Sequence, residues 1–241
     1  MPIVIGPGIS IGPGVTITSG TVTTGLLAWF DAQSYSGSGS TWTALTGANA
    51  TLFNTPTYTS ANPTYFSFAP ASFQYASRTA LSSQSNWTIE AWFRTTATLT
   101  GQVTAVVTDE YTSNINFVMG TNNSPTSYNL CVGFFNGAWR TTTGFAPTLN
   151  TWTHCAGTYD GTTVIQYQNG SSQSTLTYTG TSASGGSSVR IARRWDSPAN
   201  DSLNFFPGDI AVVRIYNTAL TSTQVLQNYN AEKVKIFCIV A

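Results

Sequence analysis

Apolar and polar residues alternate along much of the chain with the period of two that is typical of strands. In Trp87–Phe93 the odd-numbered positions carry Trp, Ile, Ala and Phe, whereas the even-numbered positions carry Thr, Glu and Trp. The first set is predicted to pack in a core and the second to meet solvent or ligand. From about residue 21 to residue 218, similar runs are separated by clusters of Gly, Asn, Ser and Pro. This pattern predicts an all-β, two-sheet antiparallel sandwich.

Two turns and one helix stand out within this domain. Asp160-Gly161 and Asn169-Gly170 have the sequence of two-residue hairpin turns, and they predict three consecutive antiparallel strands. Leu220–Tyr229 is predicted to form a short C-terminal helix, because Thr221 and Gln224 have the spacing of a capping box.

The two ends of the chain differ from the domain between them. Residues 1–20 contain two Gly-Pro-Gly turns flanked by apolar residues, which cannot build a core of their own, so they are predicted to form an extended arm. The arm is either a flexible tail or a docking and oligomerisation segment. Residues 21–231 form the domain, and residues 232–241 a C-terminal tail, which we interpret as an edge strand or a docking segment. The candidate assembly residues of the arm are Ile3, Ile5, Ile9, Ile11 and Val15.

Charge and cysteine content exclude several classes of partner. Charged residues make up 7% of the chain, the formal net charge is zero and the nine basic residues are scattered, so neither nucleic acid nor an anionic membrane surface is an expected partner. No apolar run is long enough to span a membrane, and the N-terminus lacks the pattern of a signal peptide. The three cysteines are far apart and odd in number, and we interpret them as reduced thiols of a protein made in a cytoplasm.

Three blocks of sequence, in the right order, resemble the laminin-G-like, concanavalin A-like lectin/glucanase jelly rolls. The resemblance spans about residues 25–231, and its first block is similar to the opening of such domains in phage virion proteins. It implies two packed antiparallel sheets, a concave face and a role in glycan or protein adhesion. The blocks are Leu27–Ala32 with Tyr35–Trp42, Leu149–Gly161 with Tyr167–Gly170, and Gly208–Asn217 with Ala219–Thr221.

Catalysis is not expected from the placement of the acidic residues. Glycoside hydrolases need two carboxylates on one face, but Asp109 and Glu110 are adjacent and point apart, and Glu90 has no acidic partner on its strand. His154, the only histidine, is adjacent to Cys155 and for the same reason is interpreted as structural. The prediction is that the protein is not an enzyme.

No cofactor is required by the sequence, although calcium remains an alternative. Laminin-G-like domains often hold calcium at a sheet rim, and Asp196, Asp201 and Asp209 lie in or near one long segment. Loops rich in Asp and Asn also arise for turn geometry alone, so no residue is assigned as a metal ligand.

Glycan binding is the chemistry that the aromatic content favours. Sugars stack their C–H faces on aromatic rings while polar side chains bind their hydroxyls. Trp29, Trp87 and Trp152 are expected in the core. The candidate glycan-binding residues are Glu90, Trp92, Trp139, Arg140, Arg194, Trp195 and Asp196.

The leading hypothesis is a non-catalytic phage virion surface protein, either a head decoration protein or a tail-fibre component. It would be made in the host cytoplasm, bind other virion proteins or copies of itself through the arm, and bind cell-surface glycans through the sandwich. The alternatives are a free-standing bacterial lectin or adhesin and a glycoside hydrolase.

Overall fold

Sixteen strands and one α-helix account for most of the residues that the structure describes. The structure is a computed structural model that describes residues 20–82, 84–99, 104–110, 115–121, 128–178, 182, 188–194 and 204–237. The assembly arm, with Ile3, Ile5, Ile9, Ile11 and Val15, lies outside these residues.

The strands and the helix have the following bounds, in chain order. The strands are β1 (Leu26–Asp31), β2 (Thr41–Trp42), β3 (Ala50–Phe53), β4 (Thr57–Thr59), β5 (Tyr65–Phe68), β6 (Tyr75–Thr79), β7 (Trp87–Thr95), β8 (Ala105–Glu110), β9 (Ile115–Thr121), β10 (Leu130–Phe135), β11 (Trp139–Thr141), β12 (Thr153–Tyr159), β13 (Thr163–Gln168), β14 (Ser171–Thr177), β15 (Ser188–Ile191) and β16 (Gly208–Tyr216). The helix α1 spans Ser222–Ile236.

The strands form two antiparallel sheets, which confirms the predicted sandwich. Sheet A has the order β14-β13-β12-β7-β16-β5-β4, with β1 also paired to β16. Sheet B has the order β11-β10-β9-β8-β15-β6-β3-β2. Large aromatic side chains from both sheets fill the space between them, among them Trp42, Phe66, Trp87, Phe117 and Phe134.

The two faces of β7 are both buried, so the prediction that its even-numbered side chains meet solvent or ligand is wrong. The odd-numbered residues pack in the core as predicted. Thr88, Glu90 and Trp92 lie on the other face and are at most 1% exposed, because α1 and the chain on either side of it cover this part of sheet A. Alternation along a strand indicates two faces, but it carries no information about α1, which begins only at Ser222.

The helix begins as predicted and ends later. Thr221 and Gln224 form the capping box, each accepting a hydrogen bond from the other's backbone amide. The helix then continues through residues 233–236, so the predicted edge strand is wrong there, and residues 238–241 lie outside the described part. Glu232 and Ile236 explain the extension, since one pairs with a buried arginine of sheet A and the other packs on the sheet surface.

The predicted hairpins are confirmed, with one longer turn. Asn169 and Gly170 form the two-residue connection between β13 and β14, with positive φ at both residues. Between β12 and β13 the connection has three residues, and the Asp160 carboxylate accepts hydrogen bonds from the amides of Thr162 and Thr163.

The Thr88 hydroxyl connects β7 to the segment that precedes α1, and we expect its removal to destabilise the fold. Its hydroxyl donates to the Thr218 carbonyl (2.6 Å) and accepts from the Leu220 amide (2.8 Å). We expect Thr88→Val to lower the free energy of unfolding by about 1–3 kcal/mol, because two buried backbone groups lose their partner. Urea unfolding of the parent and the variant measures this difference in the free energy of unfolding. Thr175→Val, at an exposed position of β14, should change it by less than about 0.5 kcal/mol, and equal effects would contradict the role of Thr88.

Candidate functional site

A buried ionic network lies between α1 and the outer face of sheet A. Arg214 on β16 donates to Glu90 on β7, with Nη1 2.6 Å from Oε1, and also to Glu232 on α1. Asn228 of α1 donates from Nδ2 to both Glu90 oxygens at 3.0 and 3.1 Å. At the end of the helix, Lys235 Nζ lies 2.7 Å from Asp31 Oδ2. These contacts fasten the helix to the sheet.

The network keeps its central carboxylate ionised. Burial by itself raises the pKa of Glu90, but His154 and the Arg214 guanidinium lower it to about 2. The His154 Nε2 is 3.6 Å from Glu90 Oε2, which is long for a hydrogen bond, so Arg214 is the partner at contact distance. Burial lowers the pKa of Arg214, but the negative charges of Glu90 and Glu232 raise it by more, so the pKa lies above its ordinary value. Both groups are therefore charged at neutral pH.

Glu90 and Trp92 cannot contact a glycan in this arrangement, so their prediction as ligand residues is wrong. Glu90 is 1% exposed, and the Trp92 ring is stacked on Tyr229 of α1 with centroids 5.5 Å apart. His154 is fully buried beside the same two rings, whereas Cys155 lies in the core on the opposite face. The interpretation of His154 as structural, facing away from Cys155, agrees with this placement.

The outer face of sheet B carries an exposed aromatic cluster. Trp139 is 38% exposed, and its ring lies 4.1 Å from the Arg194 guanidinium carbon. Phe135, opposite Trp139 on β10, packs against it with centroids 4.9 Å apart. Trp139 and Arg194 are thus two predicted site residues that the fold brings together. Three strands separate β11 from β15, which Arg194 follows, so the contact joins parts of sheet B that are not neighbours.

A second aromatic pair lies farther along sheet B. Phe53 and Tyr75 are opposite each other on β3 and β6, and their rings are stacked at 4.5 Å. The Arg193 guanidinium lies 4.8 Å from the Tyr75 ring and 4.9 Å from Phe205. Because Arg193 and Arg194 are adjacent in the chain, they link the two aromatic groups. We call Phe53, Tyr75, Phe135, Trp139, Arg193 and Arg194 the aromatic face.

The remaining predicted residues fall elsewhere. Arg140 pairs with Phe134, a core residue, and its guanidinium lies 4.5 Å from the Tyr178 ring, so it is directed away from Trp139 and its assignment to the same site is wrong. Adjacent residues of a strand point to opposite faces. Trp195 and Asp196 lie outside the described residues.

Phe135 and the Phe53–Tyr75 pair were missed by the sequence reasoning. Phe135 had a usable signal, because the Asn136-Gly137 turn predicts a hairpin that places residues on either side of it opposite each other. Phe53 and Tyr75 are brought together by strand pairing across 22 residues, for which no local signal exists.

The match to a family model decides the family. A model described as the concanavalin A-like lectin/glucanases superfamily, of laminin-G type, matches residues 69–226. The chain belongs to this superfamily. Its sandwich is a fold that typically binds carbohydrate. No curated protein matches the chain.

Two solved structures of other proteins are similar to this chain in fold. Domain 4 of AbnA, an extracellular arabinanase from Geobacillus stearothermophilus solved with arabinotriose, is 18% identical with a TM-score of 0.64, over 85% of this chain and 98% of that one. A sialidase from Trypanosoma rangeli is 14% identical with a TM-score of 0.61, over 94% of this chain. This chain spans 36% of the sialidase. At these identities the likeness shows the fold alone.

The described carboxylates are engaged in structural contacts. Asp209 accepts hydrogen bonds from Ser67 and Arg94, Asp160 caps its turn, and Asp109 is fully buried. Within the described ranges, no group of three or more His, Cys, Asp or Glu side chains could hold a metal ion. Asp196 and Asp201, the other two residues considered for calcium, lie outside those ranges. The described helix is not long and apolar enough to cross a membrane.

The ionised network predicts a specific dependence of stability on pH. The folded-state pKa of Glu90, about 2, lies below its ordinary value of 4.5, so the unfolded state binds more protons between these values. Its contribution to stability is present above about pH 4.5 and is lost as the pH falls toward 2. We expect Glu90→Gln to lower the free energy of unfolding at pH 7 by about 3–5 kcal/mol, because it removes one of the two carboxylates that neutralise the buried Arg214 and Glu232 alone remains.

Urea unfolding at pH 7 and pH 3 tests both parts of this prediction. Glu90→Gln should lose less stability on acidification than the parent. Lys233→Gln removes a charge from α1 outside the network and should leave the pH profile unchanged. Parallel profiles for the parent and Glu90→Gln would show that the carboxylate does not titrate as described.

Proposed function

We propose that this protein is a non-catalytic glycan-binding domain whose binding surface is the aromatic face of sheet B. The observation that carries the proposal is the Trp139 ring, which is 38% exposed and is held by contacts with Phe135 and with the Arg194 guanidinium. A ring fixed in this way loses little conformational entropy when a ligand stacks on it.

The chemistry of the aromatic face suits an extended glycan. Aromatic rings offer apolar surface to the C–H faces of sugar rings. Arg193 and Arg194 are themselves buried, so their part is to hold the rings in place. Trp139 and Phe53 are both 38% exposed and lie at separate parts of this face. Two separated platforms favour a chain of sugars over a single ring.

The absence of catalysis is part of the proposal and rests on the carboxylates. Hydrolysis of a glycosidic bond uses two carboxyl groups that flank the bond. The described carboxylates of Glu90, Asp31 and Asp209 are buried and paired with cations, and none lies on the aromatic face.

Trp139→Ala tests the binding surface. We expect at least about a tenfold loss of binding on a glycan array, equivalent to about 1.4 kcal/mol, with the melting temperature within a few degrees of the parent because the ring is partly exposed. Phe237→Ala is a matched control, since Phe237 is 42% exposed on the side of α1. Equal binding by parent and Trp139→Ala, or no array signal for the parent, would refute the proposed function.

We further propose that the domain is displayed on a virion surface, with residues 1–20 as the attachment arm. The first described residues support an arm that starts from a fixed point, because Gln227 Nε2 donates to the Gly20 carbonyl (2.9 Å) and the Val22 amide donates to Asn228 Oδ1 (2.8 Å). Its apolar residues would be buried on a partner, so little charge is involved in the contact.

Deletion of residues 1–19 should separate folding from assembly. We expect the truncated protein to melt within a few degrees of the parent. In low and in high salt, it should fail to co-sediment with virus particles that have been stripped of the protein. A deletion of residues 238–241 serves as the control at the other end. Equal incorporation of truncated and full-length protein would exclude the arm as the attachment, and failure of both to co-sediment would favour a free-standing lectin or adhesin.

A further inference from the structure

A groove of about 230 Å³ lies on the outer side of sheet A, beside the last turn of α1. It is separate from the aromatic face, which lies on the other sheet. Residues from β1, the 3-10 turn after it, the connection between β4 and β5, β16 and α1 meet there. The lining residues are Asp31, Gln33, Ser60, Asn62, Pro63, Thr64, Ala211, Val212, Lys235 and Ile236.

The groove has apolar and polar parts. Ala211, Val212 and Ile236 supply apolar surface and are each at most 3% exposed. Ser60, Asn62, Thr64 and Gln33 supply hydroxyl and amide groups that can both donate and accept hydrogen bonds. A ring with one apolar face and a rim of hydroxyls matches this combination.

The charges around the groove disfavour an anion. Lys235 Nζ is 2.7 Å from Asp31 Oδ2 and 3.1 Å from Glu232 Oε2, so the one cation among the described lining residues is shared by two carboxylates. Together with Glu90 and Arg214, the connected groups are three formal anions and two formal cations. The carboxylate of a ligand would therefore be repelled by this excess of negative charge. Neutral hydroxyls, in contrast, can form hydrogen bonds with the Asp31–Lys235 pair without separating it.

The size of the groove limits the ligand to about one ring. Its volume is below the roughly 300–1,000 Å³ of sites for drug-sized ligands. We propose that this groove is a second ligand site, which binds one neutral, hydroxyl-rich ring such as a pentose or hexose unit. It is independent of the aromatic face, so either site can exist without the other.

Saturation-transfer NMR with small sugars tests the groove directly. The probes are the methyl glycosides of glucose, galactose, mannose and arabinose, with N-acetylneuraminic acid as the anionic comparison. We expect at least one neutral glycoside to bind the full chain with a Kd on the order of 1 mM and the anionic sugar to bind more weakly. In ¹⁵N-labelled protein the same glycoside should shift the amides of Gln33, Thr64 and Val212.

Two tryptophan substitutions provide a matched pair. Ser60 and Ala61 are adjacent and exposed, but only Ser60 lines the groove. Ser60→Trp should weaken the neutral glycoside at least about tenfold, whereas Ala61→Trp and Trp139→Ala should leave its binding within about twofold. Gln33→Ala, which adds no bulk, should weaken binding in the same direction.

The outcomes separate this site from the aromatic face. The groove is refuted if no neutral glycoside binds, if the amide shifts map to Trp139 instead, if Ser60→Trp and Ala61→Trp behave alike, or if N-acetylneuraminic acid binds as tightly. Loss of the glycan-array signal in Trp139→Ala with intact monosaccharide binding would support both sites. An absent array signal with intact monosaccharide binding would leave the groove as the single glycan site.

Discussion

One buried guanidinium determines how the outer face of sheet A is organised. Arg214 is fully buried between a carboxylate of β7 and a carboxylate of α1. An arginine in that position is tolerable only if both partners are present, because an unpaired buried charge costs several kcal/mol. If the helix moved away from the sheet, Arg214 would lose its Glu232 partner and would be either exposed to water or buried with incomplete neutralisation. Asn228, which also binds the Val22 amide, extends this constraint to the start of the domain.

The two sheets consequently have different outer surfaces. The centre of sheet A is covered by α1, whose Tyr229 stacks on Trp92, and the open part that remains is a groove at the end of the helix. On the outer face of sheet B, Trp139 and Phe53 are each 38% exposed. Both proposed ligand sites follow from this difference, since one uses the exposed rings of sheet B and the other lies beside the end of α1.

The sandwich was predictable because its signals are local. The alternation in β7, the Asn169-Gly170 turn and the capping box of Thr221 and Gln224 each depend on residues a few positions apart. The end of α1 was not predictable in this way, because Glu232 is held by an arginine 18 residues earlier.

The candidate site was predicted in part for the same reason. Pairing an aromatic residue with an adjacent arginine selected Trp139 and Arg194, which the fold brings together from distant strands. The same rule failed for Trp139 and Arg140, because neighbours in a strand face apart, and for Glu90 and Trp92, because burial under a helix is a long-range property.

The hydrogen bond between Gly20 and α1 fixes the side of the domain on which the described residues begin. Gly20 is bound by Gln227 on the side of sheet A, and the aromatic face is on the outer side of sheet B. The thickness of the sandwich therefore lies between Gly20 and Trp139. Copies mounted through their N-termini on a common support would all turn the same aromatic surface outward, as a multivalent layer in which weak individual contacts add up to avidity.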